Sequence, residues 1–120
     1  MSVTVVSPGS SPVPVYNRSG VTVDSLAATG TDKAGGASIV RYAGTTVVVV
    51  STSTDNNAVV LPTDAETGDV VEVFTSGSPL SVFVFAGGSD AILGVSTYVI
   101  VSSGASFRKI ADGSWGVHTS

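Results

Sequence analysis

Short apolar runs separated by turn residues dominate the hydrophobic pattern of this chain. Valine and threonine are abundant, and both are stiff at χ1 and favour pleated strands. Gly, Pro, Asn or Asp interrupts the runs about every eight to twelve residues, a spacing typical of sandwiches and barrels. Helical periodicity is almost absent. The pattern predicts an all-β fold, either an antiparallel β-sandwich or a barrel of jelly-roll or β-tulip type.

The same pattern divides the chain into an extended arm and a compact domain. Residues 1–38 contain Pro8, Pro12 and Pro14, which exclude a central strand, and then a long run of small and polar residues. They are predicted to form an N-terminal arm and loop, and residues 39–120 the compact β domain. No internal repeat is evident. The strands predicted in the compact domain are 39–42, 45–51, 58–61, 69–75, 80–86, 97–101, 106–111 and 114–118.

Several of these predicted strands are apolar on both faces. Residues 82–85 read Val-Phe-Val-Phe, residues 98–101 read Tyr-Val-Ile-Val, and residues 47–50 are all valine. A half-exposed antiparallel strand should alternate, and an 11.9 kDa chain has little interior for strands buried on both faces. A neighbouring subunit is therefore predicted to cover the second face, with a three-layer fold in one chain as the alternative. The residues predicted at a trimer interface are Val82, Phe83, Val84, Phe85, Tyr98 and Ile100.

The low charge of the chain limits the classes of molecule that it is predicted to bind. Charged residues make up 12% of the sequence and the net charge is −4, whereas nucleic-acid binding through phosphate contacts needs a basic patch. The longest purely aliphatic run is residues 47–50, far short of the roughly 20 residues that a membrane helix needs. No cysteine is present, so neither disulfides nor thiolate metal sites can form. The chain is predicted to bind neither nucleic acid nor membranes.

An acidic corner at residues 59–74, VVLPTDAETGDVVEVF, is the densest group of carboxylates. Its carboxylates belong to Asp64, Glu66, Asp69 and Glu72. Calcium loops place acidic ligands around a glycine, as Asp64 and Gly68 suggest, but the spacing does not match an EF-hand. Paired carboxylates can also perform acid–base catalysis. A corner between two strands explains these residues more simply, so we predict a structural turn, no cofactor, and Asp64, Glu66 and Asp69 only as weak metal candidates.

Other catalytic signatures are missing from the sequence. His118 is the only histidine, and neither a G-x-S-x-G elbow nor a phosphate-binding glycine loop occurs. Trp115 is the only tryptophan and is predicted in the core, with sugar stacking as the alternative. Arg108 and Lys109 are predicted at a solvated strand end. No catalytic residues are assigned, and the chain is predicted not to be an enzyme.

The order of turns from Thr45 to Val117 resembles small β-rich virion proteins of tailed bacteriophages. In that layout a strand ends in Leu-Pro, Gly-Asp opens the next strand, an Asp-x-Ile-x-Gly corner follows, and a Gly turn leads to a Phe strand and a final DGxW hairpin. The acidic TDAET corner departs from the layout, which usually has more neutral residues there. The matching residues are Leu61, Pro62, Gly68, Asp69, Asp90, Ile92, Gly94, Gly104, Phe107, Asp112, Gly113 and Trp115.

This resemblance implies a capsid decoration (cement) protein located on the virion surface. Such proteins are commonly homotrimers, and the chain is expected to bridge subunits of the major capsid protein from outside. The N-terminal arm is expected to grip the capsid by adding a strand to a neighbour, with a disordered tail as the alternative. The residues expected at that contact are Val3, Val5, Pro8, Pro12, Val13, Pro14 and Tyr16.

A tail-fibre or tail-associated module that binds a receptor or carbohydrate is the alternative function. Such a module needs an exposed aromatic platform or a cation site. The candidates for it in the sequence are Trp115, Tyr98 and Asp64.

Overall fold

A computed structural model describes residues 16–18, 20–52, 57–75, 81–92, 98–101 and 104–119. These residues contain β-strands and no helix, hence no helix able to cross a membrane in the part described. The strands are β1 (Tyr16–Arg18), β2 (Val21–Ala27), β3 (Ala37–Ser38), β4 (Thr45–Ser51), β5 (Asn57–Val60), β6 (Val70–Thr75), β7 (Val82–Phe85), β8 (Ala91–Ile92), β9 (Tyr98–Val101), β10 (Gly104–Ala111) and β11 (Ser114–Thr119).

The strands form two sheets that the chain visits alternately. The large sheet has seven strands in the order β1-β2-β4-β6-β10-β11-β8, and the small sheet has four in the order β3-β5-β7-β9. In the middle of both sheets the pairing is parallel: β2 with β4, β4 with β6, β3 with β5, and β5 with β7. The chain thus coils as a β-solenoid of about three turns.

The predicted antiparallel sandwich or barrel is therefore wrong, although the all-β class is confirmed. Strand length and turn spacing are the same in a hairpin and in a solenoid turn. What differs is the direction in which the chain re-enters a sheet, and the hydrophobic pattern carries no information on direction. Because several strands are apolar on both faces, a neighbouring subunit was predicted to cover them. In the structure, the order of the strands instead follows from the parallel stacking of successive turns.

The solenoid turns repeat at nearly constant length, although their amino-acid sequences are not similar. Val21 pairs with Thr45 and Thr45 with Val70, so one turn takes 24 residues and the next takes 25. Each complete turn contributes one strand to the large sheet and one to the small sheet. The turns share length and strand position but few residue identities, which is why no repeat was expected.

Residues assigned by the sequence to the arm belong partly to this body. Strand β2 pairs with β4 along its whole length, and Thr22, Asp24 and Ala28 are buried. Residues 21–27 are thus paired with residues 45–51 of the predicted compact domain. Of the predicted strands, 45–51 coincides with β4, whereas 39–42 is replaced by the shorter β3 just before it.

Antiparallel strands flank the parallel strands β2, β4 and β6 of the large sheet on both sides, and β8 then pairs parallel with β11 at the far edge. β1 pairs with β2 on one side, and β10 pairs with β6 on the other. The chain also turns back in the small sheet, where β9 pairs antiparallel with β7. The predicted hairpin at Asp112-Gly113 is confirmed, since Ala111 faces Ser114 across it. These reversals prevent further parallel strands from adding beside β2 or β6, which would otherwise be open edges.

The core lies between the two sheets and is built from rows of inward side chains. Along one row Thr22, Thr46, Val71 and Phe107 are neighbours, because their strands are in register. The row becomes larger and more apolar from β2 to β10, and Phe107 is fully buried. The other fully buried large side chains are Trp115, Leu61, Ile92, Val48, Val50, Val59, Val73, Val82 and Val84.

Successive turns are in close main-chain contact where β4 and β6 begin. Thr45 N donates to Gly20 O at 2.8 Å, and Val70 N donates to Gly44 O at 3.0 Å. Gly44 has φ +87°, and a Cβ there would lie 2.5 Å from Gly20 O. Gly20 has a similar φ of +78° but open space around it. Only glycine satisfies both the dihedral angle and the contact at Gly44.

We expect Gly44→Ala to destabilise the fold much more than Gly20→Ala. Gly20→Ala adds only the strain of a left-handed backbone, about 1 kcal/mol. Gly44→Ala adds the same strain and a clash with backbone that cannot rotate away, for a total of about 3 kcal/mol. Urea unfolding of both variants at one protein concentration measures the difference. Equal losses would contradict the close contact between turns.

Candidate functional site

Asp69 is the centre of the acidic corner. It is 8% exposed, and it lies directly before β6 at the junction of successive turns. Its Oδ2 accepts hydrogen bonds from Arg41 Nε at 2.8 Å and from Glu66 N at 2.9 Å. Its Oδ1 accepts one from Gly44 N at 3.2 Å. One carboxylate thus joins the chain before β4 to the corner before β6.

The backbone around Asp69 extends this junction to the end of the solenoid. Lys109 N donates to Asp69 O at 2.9 Å, and Gly68 N donates to Lys109 O at 2.8 Å. Strand β10 is thereby fixed to the corner by two main-chain hydrogen bonds. The tight approach uses Gly68, whose φ of +100° a side chain would rarely adopt.

The electrostatics of Asp69 favour its ionised form. Burial raises its pKa, but the hydrogen bonds from Arg41, Glu66 N–H and Gly44 N–H outweigh burial, so the pKa lies below the ordinary value of 3.8. The hydrogen bond to Asp69 in turn raises the pKa of Arg41. Glu66 is a weaker second partner, with an Oε1 to Nη2 distance of 3.9 Å and a largely exposed side chain.

This arrangement bears directly on the metal candidates Asp64, Glu66 and Asp69. Both oxygens of Asp69 are already used by protein donors. Asp64 and Glu66 are exposed on the outside of the corner. Within the described ranges no group of three or more His, Cys, Asp or Glu side chains is placed to hold a metal ion. The corner is thus organised around a guanidinium.

A second buried charge lies where β10 and β11 close the core. Lys109 has a 4% exposed side chain, and its Nζ is 3.0 Å from Asp90 Oδ2. The same nitrogen lies 5.3 Å from the centre of the Trp115 ring. The prediction that Lys109 is solvated is wrong, since it is the inward partner of Trp115 across the hairpin. Arg108, one residue earlier, is exposed as expected.

Trp115 is a core residue, as the sequence predicted, and its side chain is 0% exposed. It cannot therefore serve as a sugar-stacking platform. Its Nε1 is buried and has no hydrogen-bond partner among the described residues. The Lys109 ammonium lies over the face of the ring, a cation–π contact that leaves the indole N–H without an acceptor in the described part of the chain.

The predicted interface residues divide by face. Val82 and Val84 point between the sheets and are 0% exposed, so they belong to the core of this chain. Phe83 and Phe85 lie on the other face of β7 and pack edge to face with a centroid distance of 6.1 Å. The structure places Tyr98 and Ile100 on β9, beside β7.

The expected capsid contacts lie almost wholly outside the described residues. Those contacts are Val3, Val5, Pro8, Pro12, Val13 and Pro14. Tyr16, the remaining member of the set, is the first residue of β1.

The outer face of the large sheet carries a feature that we name the apolar stripe. It consists of Val21, Val23, Val47, Val49 and Phe74, which are outward positions of β2, β4 and β6. Register places Val23 beside Val47, and Val49 beside Phe74. Val49 is 38% exposed and Phe74 is 45% exposed. The valine run at residues 47–50 signals the stripe in sequence, because half of it must point outward from any strand.

The other half of the same face carries a polar groove of about 390 Å³. Register places Glu72, Ser106 and His118 side by side on β6, β10 and β11. Ser106 Oγ lies 3.5 Å from Glu72 Oε2, and Arg108 is on the neighbouring row between Val70 and Gly116. The sequence analysis missed this group because its members are far apart in the chain, and strand register alone brings them together.

The groove does not have the geometry of a serine hydrolase. In a catalytic triad the carboxylate orients the histidine, and the histidine activates the serine. Here Ser106 lies in the middle, and the carboxylate of Glu72 bonds to the serine itself. The arrangement is a row of donors and acceptors on an open face, which suits binding.

A second surface pocket, of about 440 Å³, lies beside the acidic corner. Arg41, Asp64, Val40 and Lys33 contribute to its wall. Lys33 Nζ donates to Gly88 O and so links the first turn to the loop after β7. The cationic groups of this pocket are thus committed to structural contacts within the solenoid.

Comparison with protein-family models, curated proteins and solved structures finds no match to this chain. Function must therefore be inferred from the two halves of the large sheet and from the corner.

We expect Asp69→Asn to lower the free energy of unfolding by about 2 kcal/mol, because hydrogen bonds to a charged group contribute about that much. Asp64→Asn is the matched control on the same corner, and its exposed side chain predicts a change within about 0.5 kcal/mol. Urea unfolding at neutral pH measures both. Similar losses in the two variants would exclude Asp69 as the centre of the corner.

The pH dependence of stability should also depend on Asp69. Because its folded pKa is lowered, its contribution is complete above the unfolded value near 3.8 and is lost as the pH falls through the folded pKa. The stability difference between the wild type and Asp69→Asn should therefore be constant from neutral pH to about pH 5 and shrink below about pH 4. Unfolding curves at a series of pH values test this, and a difference that persists in acid would refute it.

The Lys109–Asp90 pair should behave as a coupled buried pair. Asp90→Asn leaves a buried ammonium without its carboxylate and should cost about 3 kcal/mol. The double variant Asp90→Asn/Lys109→Met should regain much of that loss, since Met keeps the apolar stem and removes the charge. A double-mutant cycle measures the coupling, with Arg108→Met as the exposed control. Additive losses would contradict the pairing.

Proposed function

We propose that this chain is a structural protein of a bacteriophage virion. In this proposal it forms a homotrimer, decorates the outer capsid surface and bridges subunits of the major capsid protein. Its action is mechanical: each copy adds contact area between neighbouring capsid subunits. It needs neither a cofactor nor a catalytic site.

The apolar stripe is the observation that carries the proposal. Its five side chains lie on three adjacent strands and occupy a plan area of roughly 160 Å², since strand spacing and rise give each outward position about 32 Å². Val49 and Phe74 lie side by side and are both exposed, and such contiguous apolar side chains favour an interaction surface. Two further features agree with this: charged residues are only 12% of the sequence, and the order of turns resembles virion proteins.

A second copy of this chain is the occupant that fits the stripe. The stripe has no charged member, so three copies of it can meet around a threefold axis without complementary charges. Most oligomers of soluble proteins are closed assemblies of identical chains. The core of such interfaces is depleted in charge and enriched in aromatic side chains, as Phe74 beside Val49 exemplifies.

The positions that carry the family resemblance also have a physical role here. Asp69, Gly68 and Trp115 belong to the corner and to the hairpin that closes the core. The resemblance therefore rests on residues that determine how turns connect, and it supports the proposal through that shared layout.

A tail-associated module that binds carbohydrate is the second candidate. The polar groove favours it, because the groove offers several hydrogen-bonding side chains on an accessible face. Two of the candidate residues suggested by sequence lend it little support, since Trp115 is buried and Asp64 belongs to the other pocket. The third, Tyr98, lies on β9 of the small sheet.

We expect light scattering to give a mass three times the 11.9 kDa of one chain. Val49→Glu should yield monomers, because it places a charge within the stripe that association would bury. Val40→Glu is the control: Val40 is a more exposed valine, 53% against 38%, and lies outside the stripe. Circular dichroism should show both variants folded. A monomeric wild type, or a trimer that survives Val49→Glu, would contradict assembly through the stripe.

Attachment to the capsid needs a separate measurement. Wild-type trimers should co-sediment with empty capsids built from the major capsid protein of the same virion. Val49→Glu should sediment less, because a monomer loses the avidity of three linked contacts. Trimers that stay in the supernatant would exclude decoration and leave the tail-associated role.

A further inference from the structure

We infer that the polar groove binds an acidic sugar, in the form of a hexuronic acid unit of a polysaccharide. This inference rests on the second candidate function and names its ligand class. The groove lies on β6, β10 and β11, whereas the apolar stripe lies on β2, β4 and β6. Trimer formation through the stripe therefore leaves the far part of the groove accessible.

The spacing of polar side chains in the groove suits the hydroxyl groups of a sugar. Adjacent strands are about 4.8 Å apart, so Glu72, Ser106 and His118 present polar atoms at regular intervals across the sheet. Glu72 offers a carboxylate acceptor, and Ser106, whose hydroxyl donates to Glu72 Oε2, offers its lone pairs to a sugar hydroxyl. A pyranose ring that lies across the strands meets a different partner at each strand.

Arg108 supplies the charge that selects an acidic sugar. It is exposed, it lies one row from Ser106, and no ion pair of its guanidinium with an acidic side chain occurs among the described residues. Guanidinium groups bind carboxylates through two parallel hydrogen bonds, which fixes the orientation as well as the charge of the ligand. A neutral hexose would lack this contact.

The floor of the groove suits the apolar face of the ring. Val70 and Gly116 flank Arg108 on the neighbouring strands. Gly116 has no side chain, so the floor is low beside Ile110, which is 41% exposed and forms a wall. The volume of about 390 Å³ lies within the range of ligand pockets.

The matched probes are the methyl glycoside of galacturonic acid and methyl galactoside. They differ only at C6, which is a carboxylate in the first and a hydroxymethyl group in the second. We expect the acidic glycoside to shift the amide signals of Arg108, Gly116 and His118 in NMR titrations of the labelled full chain, with a Kd in about the millimolar range. The neutral glycoside should bind about tenfold more weakly. Equal binding of the two would overturn the inference while leaving a carbohydrate role in place.

Three variants locate the site. Arg108→Gln should weaken binding of the acidic glycoside about tenfold, and Arg108→Lys should restore part of it by returning the charge without the fork. Gly116→Ala should weaken both glycosides by raising the floor, and its Cβ would meet Ile110 at 3.4 Å, an ordinary contact. Lys33→Gln, in the other pocket, removes the same charge and should leave binding unchanged.

The oligomeric state of the same samples separates this inference from the assembly proposal. Loss of binding in Lys33→Gln, no shift with either glycoside, or shifts confined to other residues would overturn the groove as the site. A failure to form trimers or to bind capsids would contradict decoration alone and would not affect these titrations.

Discussion

The structure depends on how one turn of the solenoid is held on the next, and the Asp69 carboxylate is the clearest instance of that constraint. Main-chain hydrogen bonds between parallel strands hold the middle of each turn, but the chain must also change direction between strands, where no ladder exists. Asp69 receives two backbone donors and one guanidinium at this point. Its partners belong to the segments before β4 and before β6. A single buried charge therefore fixes the positions of two successive turns along the solenoid axis. The acidic corner, for which a metal site was considered, thus connects successive turns, and the Arg41 guanidinium supplies the positive charge that a metal ion would have supplied.

A coil of parallel strands also has to end, and both charged and apolar residues contribute to that ending. Where the chain reverses into β10 and β11, the last layer contains the two largest buried rings, Phe107 and Trp115. Lys109 enters the same layer and reaches Asp90, which belongs to the loop after the third turn. A buried pair is weak evidence for net stability, because desolvation offsets much of the attraction. Its effect here is on specificity: the lysine position fixes the register of the hairpin against the loop, and slippage by one residue would expose the ring and bury a solvated arginine.

The sequence located β4 to β7 and β9 to β11, but it did not predict β3 or β8, and it did not predict how the strands are arranged. Apolar runs bounded by turn residues located β4 and β11 almost to the residue, and Asp112-Gly113 identified the hairpin, since these signals are local. Parallel coiling depends on contacts between residues about one turn apart, and the turns share a length rather than a motif. The corner was predicted to be structural from its local turn residues. The role of Arg41 was not predicted, because Arg41 lies about one turn earlier in the chain than Asp69. The groove was missed altogether, because Glu72, Ser106 and His118 become neighbours only through register across three strands.

The outer face of the large sheet is divided between the apolar stripe and the polar groove, and each of the two proposed roles uses one half. Half of the outward positions on β2 and β4 are valine, and outward positions on β10 and β11 are mostly polar or glycine, with β6 contributing Phe74 to one half and Glu72 to the other. The core lies between the sheets, so the outer face contributes less to stability than the inward rows do. Its composition can therefore differ from strand to strand at a modest cost to folding. Valines on such a face, rather than serine or threonine, are what the proposed assembly through the stripe requires.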